Sequence, residues 1–347
     1  MAHRVVLALL LLVPIIRAQE RPPLPDAKLA DLFLMEKPPF GLPDEATPPY
    51  DTATPLQVEL GKRLFFDPIL SADRTVSCAS CHEPDSAFAS NQKLPLGIGG
   101  KRAARNSPTL FNRGFSGAQF WDGRAEDLDH QALMPIEDPN EMGLPVDEAL
   151  KRLAATKEYE AAFRAAFERG PDRSALGRAI AAFVSRLWLG DSPVDRFRAA
   201  DVRFLNDKAK TGLWIYESKG RCWRCHVGPN FSDESFHNTG IGAKAGVPEE
   251  GRFKITKKDE DRGRFKTPTL RGLTLTAPYM HDGSIATLED VVAFYRRGGE
   301  KNTHLDEALE PIDLTDDEAT ALTAFLKALS ERVPPGTPFE FGNKKRY

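Results

Sequence analysis

Cys78-Ala79-Ser80-Cys81-His82 and Cys222-Trp223-Arg224-Cys225-His226 are the two stretches on which the reading of this chain turns. The sequence contains four cysteines, and all four lie in these pentapeptides. Each is a C-x-x-C-H, the attachment pattern of a c-type haem. The two thiols add across the vinyl groups of the porphyrin, and the histidine becomes the proximal iron ligand. A zinc ribbon is a poor rival, because its halves stand about 15–20 residues apart, whereas most of a domain separates these two. A redox dithiol or a disulfide would not require a histidine after both second cysteines. The motifs therefore imply two covalent haems.

Working outward, 347 residues with 41% hydrophobic content suffice for two domains with their own cores. A net charge of −3 argues for neither nucleic acid nor a membrane surface as partner. Met1 to Arg4 carries positive charge, Val5 to Ile16 is apolar, and Ala18 precedes a cleavage point near Gln19. Residues 1–18 thus read as a secretory signal peptide; the apolar run is too short for a retained membrane span. Covalent haem attachment occurs outside the bacterial cytoplasm, so motifs and leader both predict a periplasmic protein without stable membrane insertion.

Residues 19–55 are proline-rich and predict an extended surface arm. Apolar spacing predicts helices over 56–66, 147–169, 173–189 and 206–218, with Gly220 closing the last. Thr315 and Glu318 form a capping-box pattern ahead of a final helix. No alternating strand run is long enough to use. Each haem motif follows an amphipathic helix. The predicted class is mainly α: two tandem cytochrome c-like haem domains, 56–195 and 196–347, with long functional loops and a boundary near 190–200.

Those loops carry distinctive strings. The first half has Arg105-Asn106-Ser107-Pro108-Thr109, Phe120-Trp121-Asp122-Gly123-Arg124, Gln131 and Asn140-Glu141-Met142. The second has Phe236-His237-Asn238-Thr239-Gly240, Phe265-Lys266-Thr267-Pro268-Thr269-Leu270-Arg271 and Thr276 to Gly283. In content and order, from about Leu60 to Arg297, they resemble the bacterial dihaem cytochrome c peroxidase family, which includes MauG-like enzymes. The resemblance implies that the His82 haem binds hydrogen peroxide and that the His226 haem stores and passes electrons. It matches Trp121 to a tryptophan between the haems, and Gln131 and Glu141 to the distal amide and carboxylate of the peroxide pocket. Asn106, Thr276 and Pro278 match calcium-binding positions between the domains, and Tyr295 matches the second axial ligand of the C-terminal haem. A carboxylate can move a proton between the peroxide oxygens, an amide can orient them without titrating, and calcium takes hard oxygen donors.

Two departures bear on the subclass. No histidine lies between His82 and His130, where classical members carry one that caps the peroxide-binding haem; the loop reads Asn91 to Gly100. The first haem is therefore expected to be open without reductive activation. Tyr295 stands where classical peroxidases have methionine and MauG-like members tyrosine. Methionine raises a haem potential; an anionic phenolate lowers it and favours higher oxidation states. Met280 is the rival axial ligand. The electron donor, a small cytochrome or a dedicated protein substrate, stays open, as does Trp223 as an exit for oxidising equivalents. A non-enzymatic dihaem carrier is the alternative, but it needs a distal ligand on each iron.

Overall fold

The computed structural model describes residues 34–44, 50–334 and 337–338, with positions 28 and 31. The expected signal peptide and much of the proline-rich arm lie outside the described residues. The described chain is mainly helical. Its helices are α1 (Pro55–Phe66), α2 (Leu128–Glu137), α3 (Val146–Ala155), α4 (Lys157–Phe167), α5 (Arg173–Val184), α6 (Pro193–Arg198), α7 (Asp207–Glu217), α8 (Phe253–Thr256), α9 (Leu288–Arg296) and α10 (Asp316–Ala328). The strands are a two-residue pair, β1 (Phe236–His237) and β2 (Phe265–Lys266), antiparallel.

Two apolar cores form. One runs from Tyr50 to Leu189, the other from Val194 to Leu329. Each is built on a crossing of two helices at a glycine. A Cβ on Gly61 of α1 would strike the carbonyl of Ala179 on α5, and one on Gly212 of α7 would strike that of Ala321 on α10. The absent side chain lets the backbones touch, so Phe183 and Phe325 pack beside the two crossings.

The helices begin and end where local chemistry dictates. Thr54 caps α1 and Thr315 caps α10 as full capping boxes, the latter with Glu318 as the sequence predicts. The expected helix over 147–169 is two helices. Thr156 adopts extended backbone between them, and its hydroxyl donates back to the Arg152 carbonyl (2.9 Å); a β-branched residue with that alternative bond stops the helix. The expected helix over 173–189 ends at Val184 because the following backbone pairs elsewhere: Leu187 bridges Leu34 of the arm and accepts from Asn112 N (3.0 Å). The arm is not wholly superficial. Tyr50 is buried, and its hydroxyl accepts from Leu128 N (2.9 Å) at the start of α2.

Residues 105–137 and 265–297 are a second repeated unit, aligned without a gap at a separation of 160 positions, as Pro108 and Pro268 show. Asn112 and Gly272 share positive φ ahead of matching 3-10 turns, as do Phe120 and Met280, and Gly123 and Gly283. Gln119 bridges Ala125, and Tyr279 bridges Ile285. The two copies grip each other reciprocally: Asn106 N donates to His281 O (2.9 Å), and Lys266 N donates to Trp121 O (2.7 Å). Each bond is the other's register mate, which is the signature of a pseudo-twofold contact.

Candidate active site

Both motif histidines are prepared in the same way. His82 Nδ1 lies 2.9 Å from the Phe88 carbonyl, and His226 Nδ1 lies 2.9 Å from the Phe231 carbonyl. A carbonyl can only accept, so Nδ1 carries the proton and the lone pair belongs to Nε2, the nitrogen offered to a metal. Burial lowers the pKa of both imidazoles and keeps them neutral. No disulfide joins the four cysteines, and burial pushes the Cys78 and Cys222 thiols up to about 12. Two cysteines, a neutral imidazole and an apolar surround fit a covalently held haem at each motif.

Behind the second motif lies a cavity of ≈ 230 Å³ lined by Cys222, Cys225, His226, Met280, Tyr295 and Trp121, among others. Tyr295, on α9, and Met280, at the preceding turn, both reach it, so shared lining does not choose between them as ligand. Burial raises the pKa of the Tyr295 phenol strongly, followed in effect by the nearby Cys225 and Cys222. A phenolate there needs a cation, which a ferric iron would supply. Asn106, Thr276 and Pro278 line the same cavity. Asn106 is buried, and its Nδ2 donates to the carbonyls of Gln92 (3.0 Å) and Lys93 (3.4 Å). That orients its amide, and an amide oxygen with backbone carbonyls is a set of hard donors suited to calcium.

Trp121 stands at the seam. Its indole N–H donates to Asn106 O (2.9 Å), and its ring meets His281 edge-on with centroids 6.3 Å apart. His281 is buried and stacks on Phe265 at 3.6 Å. The indole is thus part of the N-terminal half but forms a wall of the C-terminal cavity.

A second cavity, of ≈ 290 Å³, is lined by Phe120, Arg124, Met134, Pro135, Glu137, Asp138 and Glu141. Glu141 occupies the turn after α2, fixed by Glu141 N donating to Asp138 O (3.1 Å) and Met142 N donating to Pro135 O (3.2 Å). Burial, then the neighbouring Asp138, raises its pKa to about 7, against a smaller opposing pull from Arg124. Arg124 is largely spent on Asp122 (2.8 Å) and on the Phe120 ring (3.5 Å). A carboxylate with a pKa near neutrality is suited to take and return a proton. Gln131 does not line this cavity; it lies one turn before Pro135 on the same face of α2.

A family model described as Di-haem cytochrome c peroxidase matches residues 55–203. The methylamine utilization protein MauG of Methylorubrum extorquens is 38% identical over 308 residues, covering 88% of this chain and 86% of its own length. The chain belongs to the dihaem cytochrome c peroxidase family. Cytochrome c551 peroxidase of Pseudomonas aeruginosa is 37% identical over 288 residues, with 80% of each chain covered. A solved MauG-like protein associated with microbial copper homeostasis superposes with a TM-score of 0.77 at 32% identity, over 84% of this chain and 94% of its own. Identities of 38% and 37% do not choose between MauG-type and c551-type relatives. That choice falls to individual residues. Membership carries with it c-type haems and a peroxidase-type oxidoreductase activity.

Two side chains of this family member, His237 and Trp214, were given no role by the sequence reading. His237 donates from Nδ1 to Asp306 (2.7 Å) and from Nε2 to Asp233 (2.9 Å), which raises its pKa to about 11, Asp306 and then Cys225 being the largest causes. Only the fold brings Asp306 to it. Trp214 on α7 is 60% exposed and Trp223 is 47% exposed, so two indoles face solvent near the second motif. Among the described residues, no helix is long and apolar enough to cross a membrane.

Proposed function

We propose that this protein is a periplasmic dihaem peroxidase of the MauG-like kind, with domains 56–195 and 196–347. It reduces hydrogen peroxide at the first motif and draws electrons through the second from a small cytochrome or a protein substrate. In this reading Cys78 and Cys81 hold one haem with His82 as ligand, and Cys222 and Cys225 hold the other with His226 and Tyr295. Haem iron, when bound, supplies the redox centre that accepts the two oxidising equivalents of the peroxide. Glu141, ionised, takes the proton from one peroxide oxygen and delivers it to the other, so that water can leave. Gln131 orients the peroxide by hydrogen bonding. Trp121 carries electrons between the halves. Asn106, Thr276 and Pro278 hold a calcium ion at the seam, and residues 1–18 direct export.

The observation that carries the reading is Glu141, with a pKa raised to about 7, facing a cavity beside Pro135. The testing experiment adds one equivalent of hydrogen peroxide to the fully oxidised, haem-loaded protein and follows both haems by stopped-flow absorbance. Prompt reaction without prior reduction is expected. A protein inert until one haem is reduced would overturn the open first site and favour the classical peroxidase cycle.

A further inference from the structure

The gapless register of the two repeated units carries the proposed calcium positions onto a second place at the seam. Asn106 falls on Lys266, Thr276 on Ser116, and Pro278 on Ala118. The pseudo-twofold contact exchanges the copies, so Lys266 comes from the second unit and Ser116 and Ala118 from the first. The oxygens at the two places are used differently. Among the described residues, no hydrogen-bond donor reaches the Asn106 amide oxygen or the carbonyls of Thr276 and Pro278. At the second place the counterparts are taken. The Ser116 carbonyl accepts from Gln119 Nε2 (3.2 Å), and the Ala118 carbonyl accepts from Arg113 Nη2 (2.9 Å). Gln119 Oε1 anchors the guanidinium through Nε (3.0 Å) and Nη2 (2.7 Å). Lys266 Nζ donates to Glu234 Oε2 (2.9 Å), and Glu234 Oε1 accepts from Ser116 Oγ (3.0 Å). Arg113, Gln119 and Lys266 are all buried.

We infer that Arg113 and Lys266 are a built-in replacement for a metal ion at this second place, so that the seam is braced by calcium on one side and by the protein's own cations on the other. The inference rests on the proposed reading of Asn106, Thr276 and Pro278 as a calcium site. Calcium gathers oxygens directly around its charge; a guanidinium and an ammonium gather them through N–H groups. Burial pushes the Glu234 carboxyl up, but Arg113 and Lys266 outweigh it and hold its pKa below the ordinary range. Burial, then Arg113, lowers the Lys266 pKa to about 7. Burial also lowers that of Arg113, but a guanidinium stays charged, so a cation faces Glu234 on both sides of neutrality. The two braces hold the same residue. The Trp121 indole donates to Asn106 O, and the Trp121 carbonyl accepts from Lys266 N (2.7 Å). Arg113 and Lys266 are thus positioning residues, which act on Trp121 through the seam.

The test is calorimetric calcium titration of the haem-loaded protein after chelation. The parent should bind one calcium ion per chain. The double variant Arg113→Ala, Lys266→Asn frees the Ala118 carbonyl and supplies an amide beside the Glu234 carboxylate, and it should bind two. One ion in both proteins overturns this inference and leaves the calcium assignment standing. No ion in the parent sinks the calcium assignment, and this inference with it. Should the double variant fail to load haem, Lys266→Met is titrated on the acid side of neutrality, where the parent ammonium is charged. Both braces close one seam, so by linkage calcium should bind at least about fivefold more weakly, and Lys266→Arg should restore the affinity. An unchanged affinity in Lys266→Met overturns the inference.

Discussion

The two halves share a backbone frame and fill it differently. Phe111 and Arg271 occupy the same register, and each lies against the phenylalanine whose carbonyl holds the motif histidine. Phe111 meets Phe88 edge-on at 5.8 Å, while the Arg271 guanidinium lies 5.3 Å from the Phe231 ring. Phe111 completes an aromatic core. Arg271 instead reaches Asp195 with two bonds of 2.8 Å and the Gly41 carbonyl of the arm at 3.2 Å. The frame sets where a motif histidine points; the filling decides whether that half is closed by packing or tied by charge to the rest of the chain. In the proposed function the roles divide along the same line, with the Glu141 carboxylate on one side and the Tyr295 phenol on the other.

The largest expected effect would break the comparison at the peroxide side. Glu141→Gln should slow the reaction of the oxidised protein with peroxide by about 10²–10⁴-fold, measured by stopped flow, and leave the second haem's spectrum unaltered. With a pKa of about 7, the parent rate should climb as pH rises through neutrality, because the ionised form is the base. The stability sign is the reverse. A carboxyl whose folded pKa is raised contributes stability below its unfolded pKa and loses it as pH rises through about 7. Glu141→Gln should therefore raise stability at pH 8 by on the order of 2 kcal/mol, read from denaturant midpoints.

Next comes the pair of register mates. Arg271→Met strands a buried carboxylate and should cost about 3–5 kcal/mol in chemical denaturation, whereas Phe111→Met should cost less than about 1.5 kcal/mol. Equal costs would dissolve the contrast between the two fillings. Burial pushes the Asp195 carboxyl up, but Arg271 outweighs it and holds the pKa below the ordinary range. Its contribution is present above the unfolded aspartate pKa and lost as pH falls through the folded one, opposite to Glu141.

Tyr295→Phe sharpens the assignment of the second site. Loss of the axial ligand should change that haem's ferric spectrum, and Tyr295→Met should raise its potential by on the order of 100 mV, measured by potentiometric titration. A spectrum indifferent to Tyr295→Phe would hand the position to Met280. The smallest effects concern what the halves share. Gly61→Ala and Gly212→Ala should each cost about 1–3 kcal/mol in thermal or chemical unfolding. A large cost at one glycine and none at the other would break the equivalence of the two helix crossings.

The helices leading into the haem motifs were legible because apolar spacing and caps are local; α1 and α7 begin and end within a residue or so of expectation. The chain between Arg173 and Leu189 misled because its apolar pattern continues past the point where the backbone turns to pair with Asn112 and Leu34. α2 was missed, since an interior proline argues against a helix locally. The clue lay in the sequence all the same, as a gapless repeat offset by 160 positions from Pro108 to Pro268.

By itself, the sequence determined the haem motifs, the family, the mainly helical class and the identities of Glu141, Trp121 and Tyr295 as residues to watch. Covalent attachment needs only five adjacent residues, and such chemistry is written locally. Tertiary structure alone decided that Glu141 is buried enough for its pKa to rise to about 7, and that Trp121 lines the other half's cavity while its backbone carbonyl accepts from Lys266 N. It also brought Asp306 to His237. Desolvation and long-range hydrogen bonds depend on which distant segments close over a side chain, and no local pattern encodes that.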